Sequence, residues 1–406
     1  MKKNITIREL ADIILKEMEH ALFSAGTISG YATIFKRLEK LAKKRKDVYY
    51  TSDLGKSFIE DSSYVRSEGY CHTRYCLHNR CIQFIESYLE DGQVDWAPQR
   101  VLPEYILKSK EFSDAQICFG NFMVSSGLKA NTIDGYRRFI HYFLIYLEDK
   151  GYHSVTELKG GDIITFIALV CKEHYQPTSL GAHLPGLRMF LRMYEFTAKF
   201  EAELPENLPK KRDIIEVYSD EEHNKILEHL ESSNISFRNK AICLIALETG
   251  LRAVDIFNLK LVNIDWSHDC IHIVQEKTGK SMNIPLRVSL GNALTDYLLS
   301  ERPVSDSEYI FLTNNAPHTP MKSHSGCRKV LLDVISGAGV EANGRISGTR
   351  ITRHSTASRM LRHGVPLPVI SEALGHGNPN SVMIYLSTEN AKLAECTLPL
   401  PEVCHE

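Results

Sequence analysis

Arg350-Ile351-Thr352-Arg353-His354-Ser355, followed by Leu374-Gly375-His376 and Tyr385, is the stretch on which the reading of this chain turns. It is read with an upstream element, Thr249-Gly250-Leu251-Arg252-Ala253-Val254-Asp255. A phosphodiester under attack gathers negative charge on its nonbridging oxygens. Arginine suits that charge, because it is always protonated and presents a planar fork of donors. Arg252 follows a Gly that permits a tight turn at a helix end, and Arg353 lies early in a later helix. Asp255, three residues after Arg252, can brace a guanidinium. His376 can donate a hydrogen bond to a phosphate. Lys277, in Lys277-Thr278-Gly279-Lys280, can reach a DNA groove and protonate a leaving oxygen. Tyr385 is the candidate nucleophile, giving a covalent phosphotyrosine. Taken singly, each feature reads as ordinary structure: a solvated Arg, a packed Tyr, a helix C-cap, a hairpin tip. Their joint order carries the functional reading.

Around this stretch the chain is dominated by helical periodicity. Ile7, Leu10, Ile13, Ile14, Met18 and Leu22 mark a helix over 7–23, and a second runs from Thr27 to Lys44. A third, Thr132 to Asp149, places Phe139, Tyr142, Phe143 and Tyr146 on one face. The second and third begin alike, Thr27-Ile-Ser-Gly-Tyr31 and Thr132-Ile-Asp-Gly-Tyr136, with Thr as the expected N-cap in each. Duplication and a reused helix start both remain open. Leu204-Pro205 through Pro209-Lys-Lys-Arg-Asp213 is expected to be an exposed, extended linker. Beyond it, helices are expected at 219–232 and 236–249. Cys270–Val274 and Ser281–Pro285 alternate on either side of a Gly-containing turn, the pattern of a hairpin. Helices follow at 288–301, 322–337, 350–363, 366–374 and 379–386. The fold class is mainly α with a small β-sheet.

The 406 residues are enough for two or three domains, and with 43% hydrophobic residues each can bury a core. No apolar run approaches the roughly 18 residues of a membrane span. The start of the chain lacks the apolar core of a signal peptide, so a cytoplasmic protein is expected. Ten scattered cysteines read as reduced thiols. The net charge of -2 does not advertise nucleic-acid binding, yet a DNA groove needs only one basic face. Cys71, Cys76 and Cys81 are spaced unlike a zinc finger. A helix that packs its thiols and turns Arg74 and Arg80 outward is expected there, and no metal or cofactor is assigned.

These residues resemble the tyrosine recombinases, the phage-integrase family. Its signature includes a Thr-Gly-Leu-Arg element, a hairpin Lys, a His-x-x-Arg-His element, Leu-Gly-His, and a Tyr nine residues after that His, as from 376 to 385 here. The resemblance covers 219–390. It implies helical N-terminal domains followed by a mixed α/β tyrosine-recombinase catalytic domain. The expected boundaries are 1–110 for a helical N-terminal domain with possible accessory DNA contacts, 111–207 for a SAM-like helical core-binding domain, and 208–406 for the catalytic domain and tail. By resemblance Arg252 and Arg353 clamp the scissile phosphate, Lys277 is the general acid, His376 binds phosphate or aids proton transfer, and Tyr385 attacks. Lys129, Arg137, Arg138 and His141 are candidates for backbone contacts.

One position departs from the pattern. Arg350 stands where the family has the first His of His-x-x-Arg. An imidazole accepts a proton at neutral pH and a guanidinium does not. Arg350 leaves a third cation for the phosphate and for phenolate, while the proton acceptor for Tyr385 is open. His354, one helical step beyond Arg353, is expected to point elsewhere. The tail after Tyr385, with Leu393, Leu398 and Leu400, is expected to dock, as in the family, where it is often exchanged between protomers.

The resulting expectation is a site-specific recombinase, an integrase or transposase of a mobile element. It would act on double-stranded DNA as a tetramer and transesterify through a 3′-phosphotyrosine. Bond energy is conserved in that exchange, so no cofactor is called for. A type IB topoisomerase-like enzyme and a catalytically impaired DNA-binding protein on the same fold are the alternatives.

Overall fold

The computed structural model describes residues 5–62, 71–97, 107–208, 217–232, 234–321, 324–341, 344–377 and 379–388. The helices are α1 Ile7–His20, α2 Ala25–Arg45, α3 Ser52–Glu60, α4 His72–Asp91, α5 Lys110–Ser125, α6 Ala130–Asp149, α7 Asp162–Glu173, α8 Leu184–Arg192 and the single turn α9 Glu195–Ala198. After the linker come α10 Asp220–Ser232, α11 Phe237–Thr249, α12 Ala253–Phe257, α13 Val288–Asp296, α14 His324–Gly337, α15 Thr349–Arg362 and α16 Leu367–Ala373. A 3-10 segment, Pro379–Thr388, carries Tyr385.

Two compact units emerge, residues 100–213 and residues 1–99 with 214–406. In the first, α5 to α8 bury Phe112, Phe119, Phe139, Phe143, Phe166 and Phe190 around one another, an aromatic core with edge-to-face ring pairs. Leu204 is buried in that core, so the start of the expected linker is anchored; 209–216 lie outside the described residues. Lys129, Arg137 and Arg138 are exposed, whereas His141 is half-buried against Gln116 Oε1 at 3.3 Å.

In the second unit, α1 to α4 carry their own core of Leu10, Ile14, Phe35, Leu38, Phe58 and Ile85. The helix starts differ from the Thr caps expected. Ser24 caps α2, its hydroxyl accepting from the Thr27 N–H at 3.2 Å, and Lys129 precedes α6 with no side-chain cap. Arg80 does not point outward either. Its guanidinium donates to the carbonyls of Trp96 and Ala97 and lies over the Phe84 ring at 4.6 Å. A segment that folds back over α4 supplies acceptors that a solvated Arg would find in water. Cys81 is buried, and Cys71 and Cys76 are half-buried. Among the described residues no group of His, Cys, Asp or Glu is placed to hold a metal ion, and no helix is long and apolar enough to cross a membrane.

Residues 218–351 enclose the core that positions the site. α11 is buried almost all round, from Ala241 to Leu247. A short strand not expected from sequence, β1 Ile264–Asp265, pairs antiparallel with β2 Cys270–Val274, which pairs with β3 Ser281–Pro285. Ile271 lies opposite Ile284 and both face inward, while His272 and Val274 face out. The hairpin turn closes through the Gln275 N–H donating to Lys280 O at 2.9 Å, with Gly279 at φ +68.

Candidate active site

The site is built on two helix C-termini and the hairpin. α11 ends at Gly250, whose φ of +64 is the left-handed cap that reverses the chain and starts α12 at Arg252. α16 ends in the same way. The Gly375 N–H donates to Glu372 O at 2.8 Å and the His376 N–H to Ser371 O at 2.9 Å, a Schellman motif with Gly375 at φ +64. Both Thr-Gly-Leu-Arg and Leu-Gly-His are thus helix caps whose next polar residue enters the site.

Arg353, the fifth residue of α15, joins the two caps. It is only 6% exposed, and its guanidinium donates to Gly250 O at 3.1 Å and to Leu374 O. Helix-end carbonyls carry partial negative charge, so a buried cation is suited to them. Burial and the neighbouring Arg252 still push its pKa down to about 10, which leaves it charged at neutral pH. Arg252 donates to Gln275 Oε1 at 2.8 Å and lies 3.8 Å from the buried carboxylate of Asp255. Asp255 in turn accepts from the Glu276 N–H at 2.9 Å, which ties the start of the hairpin turn to α12. Burial pushes the Asp255 pKa up, against that bond and the charges of Arg252 and Arg353.

Tyr385 is 2% exposed and packs among Ala357, Leu361, Ile370, Leu374 and Val382. Its hydroxyl is hydrogen-bonded to Arg353. Burial pushes the phenol pKa up, and Arg353, Arg252 and Arg350 pull it back. The His376 ring lies near-parallel to the Tyr385 ring, centroids 6.2 Å apart. The structure corrects the expectation for His354. It does not point away; its ring meets Tyr385 edge-on at 5.4 Å, and neither ring nitrogen has a partner among the described residues. One helical step leads away from Arg353, but α16 and the Tyr385 segment wrap around α15 and cover that neighbouring face too.

Arg350 is exposed at the start of α15, and its charge acts on both His354 and Tyr385. Lys277 is exposed at the hairpin tip, outside the buried cluster. Lys280 donates instead to His376 O at 2.7 Å. So Arg252, Arg353, His376 and Tyr385 are brought together, Arg350 stands at the rim and Lys277 on the adjoining turn. The sequence reading missed Gln275 and Lys280. A signal for Gln275 existed: it continues the inward alternation of Ile271 and Ile273, a polar residue in an apolar register.

Three imidazoles, His223, His354 and His376, are each pushed down to about 4 by burial and nearby cations. As pH falls past about 6.5 they protonate in the unfolded chain but not in the fold. The unfolded state therefore binds more protons between about 6.5 and 4, and stability falls as pH drops through that window, by up to about 3 kcal/mol per imidazole. Thermal denaturation across pH 4–7 is expected to show this loss, and His354→Phe is expected to flatten part of it. An unchanged slope in the variant would contradict a buried neutral His354.

Residues 216–392 match the family model described as Phage integrase family. The integrase/recombinase-named protein y4gC of Sinorhizobium fredii is 34% identical over 165 residues, 40% of this chain and 83% of that one. Tyrosine recombinase XerD of Listeria innocua is 26% identical over 285 residues, covering 67% of this chain and 93% of XerD. Among solved structures, XerH site-specific recombinase bound to its difH substrate shares the fold at a TM-score of 0.54 and 17% identity, over 84% of this chain and 93% of that one.

Proposed function

The chain belongs to the phage-integrase family of tyrosine recombinases, and from that premise we propose that it is a site-specific recombinase of a mobile element that cuts and rejoins double-stranded DNA. The observation that carries the proposal is the buried Tyr385 hydroxyl held by Arg353, within reach of the charges of Arg252 and Arg350. In the proposed reaction the scissile phosphate takes the donors of Arg252, Arg353 and His376. The phosphate displaces the phenol from Arg353, the Tyr385 hydroxyl gives up its proton to water, and its oxygen attacks phosphorus. A phosphorus–tyrosine bond forms, the bond to the 5′ oxygen breaks, and Lys277 protonates that oxygen. The 5′-hydroxyl of a second strand then reverses the step on the phosphotyrosine. Each step exchanges one phosphodiester for another, so the bond energy is kept.

Residues 1–110, 111–207 and 208–406 are read as accessory, core-binding and catalytic domains. Exchange between two duplexes uses four such active sites, so the working assembly is read as a tetramer on DNA, with the tail beyond the described residues passed between protomers. The exposed Lys129, Arg137 and Arg138 suit backbone phosphates.

Arg350 adds charge that acts on Tyr385 and His354 from the rim of the site. Arg350→Ala is expected to slow cleavage about tenfold, less than the hundredfold or more of a lost transition-state donor, with DNA affinity nearly unchanged. An affinity loss that exceeds the rate loss would make it a backbone anchor. The function itself is tested by selecting, from a randomised duplex pool, DNA that the full chain retains, and nicking it beside candidate cleavage positions. A nick lets the leaving fragment diffuse away and traps the covalent adduct. Adduct mapped by mass spectrometry to Tyr385 supports the proposal, and a retained duplex that never gives adduct overturns it.

A further inference from the structure

Resting on that reading, we infer that Gln275 is a positioning residue that aims the Arg252 guanidinium at the scissile phosphate. Gln275 is 1% exposed at the end of β2, and its side chain has three partners from three parts of the site. Its Oε1 accepts from Arg252 Nη1 at 2.8 Å and from Thr278 Oγ1 at 3.0 Å. Its Nε2 donates to Leu374 O at 3.0 Å. Only this orientation of the amide fits, since Arg252 has only donors to offer and a carbonyl only accepts.

The geometry makes Gln275 the shared node of the site. Leu374 O also accepts from Arg353, so one carbonyl fixes the reach of both the Gln275 amide and the second arginine. Thr278 lies in the turn that bears Lys277. Asp255, the other candidate brace, is 3.8 Å from Arg252 and spends one oxygen on the Glu276 N–H. The closer contact to the guanidinium is therefore the neutral amide. A neutral acceptor orients Arg252 without cancelling the charge that a phosphate needs, whereas a second carboxylate there would repel the phosphate.

The same packing explains a glycine. A Cβ on Gly375 would come within 2.6 Å of Gln275 Oε1 and 2.7 Å of Nε2. Gly375 thus serves the left-handed cap and also leaves room for the amide. The closely packed amide and cap lock the Leu374-Gly375-His376 element to the hairpin.

The test compares strand cleavage of two versions of the selected duplex, one with an ordinary scissile phosphodiester and one with a neutral methylphosphonate at that position. The methylphosphonate carries no charge for a guanidinium to meet. Gln275→Leu keeps the volume and removes all three hydrogen bonds. It is expected to slow phosphodiester cleavage by about thirtyfold or more, and methylphosphonate cleavage by less than about threefold relative to wild type. Both numbers come from the same protein preparation, so a partly unfolded variant alters them equally and leaves their ratio informative. In an Arg252→Ala background, Gln275→Leu is expected to cost little further, since the two act as one unit. Equal losses on both substrates, or additive losses with Arg252→Ala, overturn the inference and make Gln275 plain packing. Wild-type protein that cleaves neither duplex overturns instead the recombinase reading on which the inference rests.

Discussion

Tyr385→Phe is expected to abolish covalent attachment to DNA, lowering adduct formation at least about ten-thousandfold, while leaving the fold and DNA affinity intact. Phe retains every carbon that Tyr385 packs against Ala357, Leu361, Ile370, Leu374 and Val382, so the cluster keeps its apolar burial. The hydroxyl lost has Arg353 as its partner, and Arg353 retains Gly250 O and Leu374 O. One lost hydrogen bond to a charged group is worth about 1.5–3 kcal/mol, and part of that returns as water reaches the guanidinium. Relief from burying a polar hydroxyl offsets it further, so the melting temperature should move by only a few degrees.

The chemical loss is of another order, because nothing else in the cluster can form the bond to phosphorus. His354 and His376 flank the phenol but are placed against its ring. Covalent trapping on a nicked duplex, with binding measured on the intact one, separates the two effects. Adduct that persists in the Phe variant would show that another residue attacks, and a matching loss of binding would show that the change damaged the fold.

The polar order of this site was legible from sequence because its parts sit in helix caps. Thr249-Gly250-Leu251-Arg252 and Leu374-Gly375-His376 carry glycines that fix left-handed turns, and such turns dictate where the next side chain goes. The hairpin was legible for a similar reason: strict alternation either side of Gly279 leaves one register. What failed depended on distant partners. Gln275 shows in sequence only the alternation of its strand, since its partners Arg252 and Leu374 lie 23 and 99 residues away along the chain. His354 was sent away from the site by a helical wheel, but the wheel describes one helix alone, and α15 is covered on more than one side by later chain. Arg80 was placed outward by its charge, and carbonyls from Trp96 and Ala97 took it in. The helix starts slipped by a few residues because Ser24, not Thr27, offers its hydroxyl to the first turn.

Arg353→Ala is expected to stop cleavage, by a thousandfold or more at the order of magnitude of a lost charge-stabilising group, while changing stability by less than about 2 kcal/mol. The stability forecast rests on two opposed terms. Removing the side chain orphans Gly250 O, at roughly 1–3 kcal/mol before water enters, and leaves Leu374 O with the Gln275 amide as its donor. Against this, holding the charge is itself costly. A pKa pushed from 12.5 down to about 10 by burial and by Arg252 corresponds to about 3 kcal/mol of disfavoured charge. The two nearly cancel, so the DNA-free protein keeps a strained cation in place whose strain an incoming phosphate relieves. Arg353→Lys should not restore cleavage, because one ammonium on a flexible stem cannot meet two carbonyls and a phosphate at fixed angles. Melting curves with and without inorganic phosphate give the second readout. Phosphate is expected to raise the melting temperature of wild type and to do so far less in Arg353→Ala. A variant that melts many degrees lower, or one stabilised by phosphate as strongly as wild type, would show that Arg353 is a structural staple and not the anion's seat.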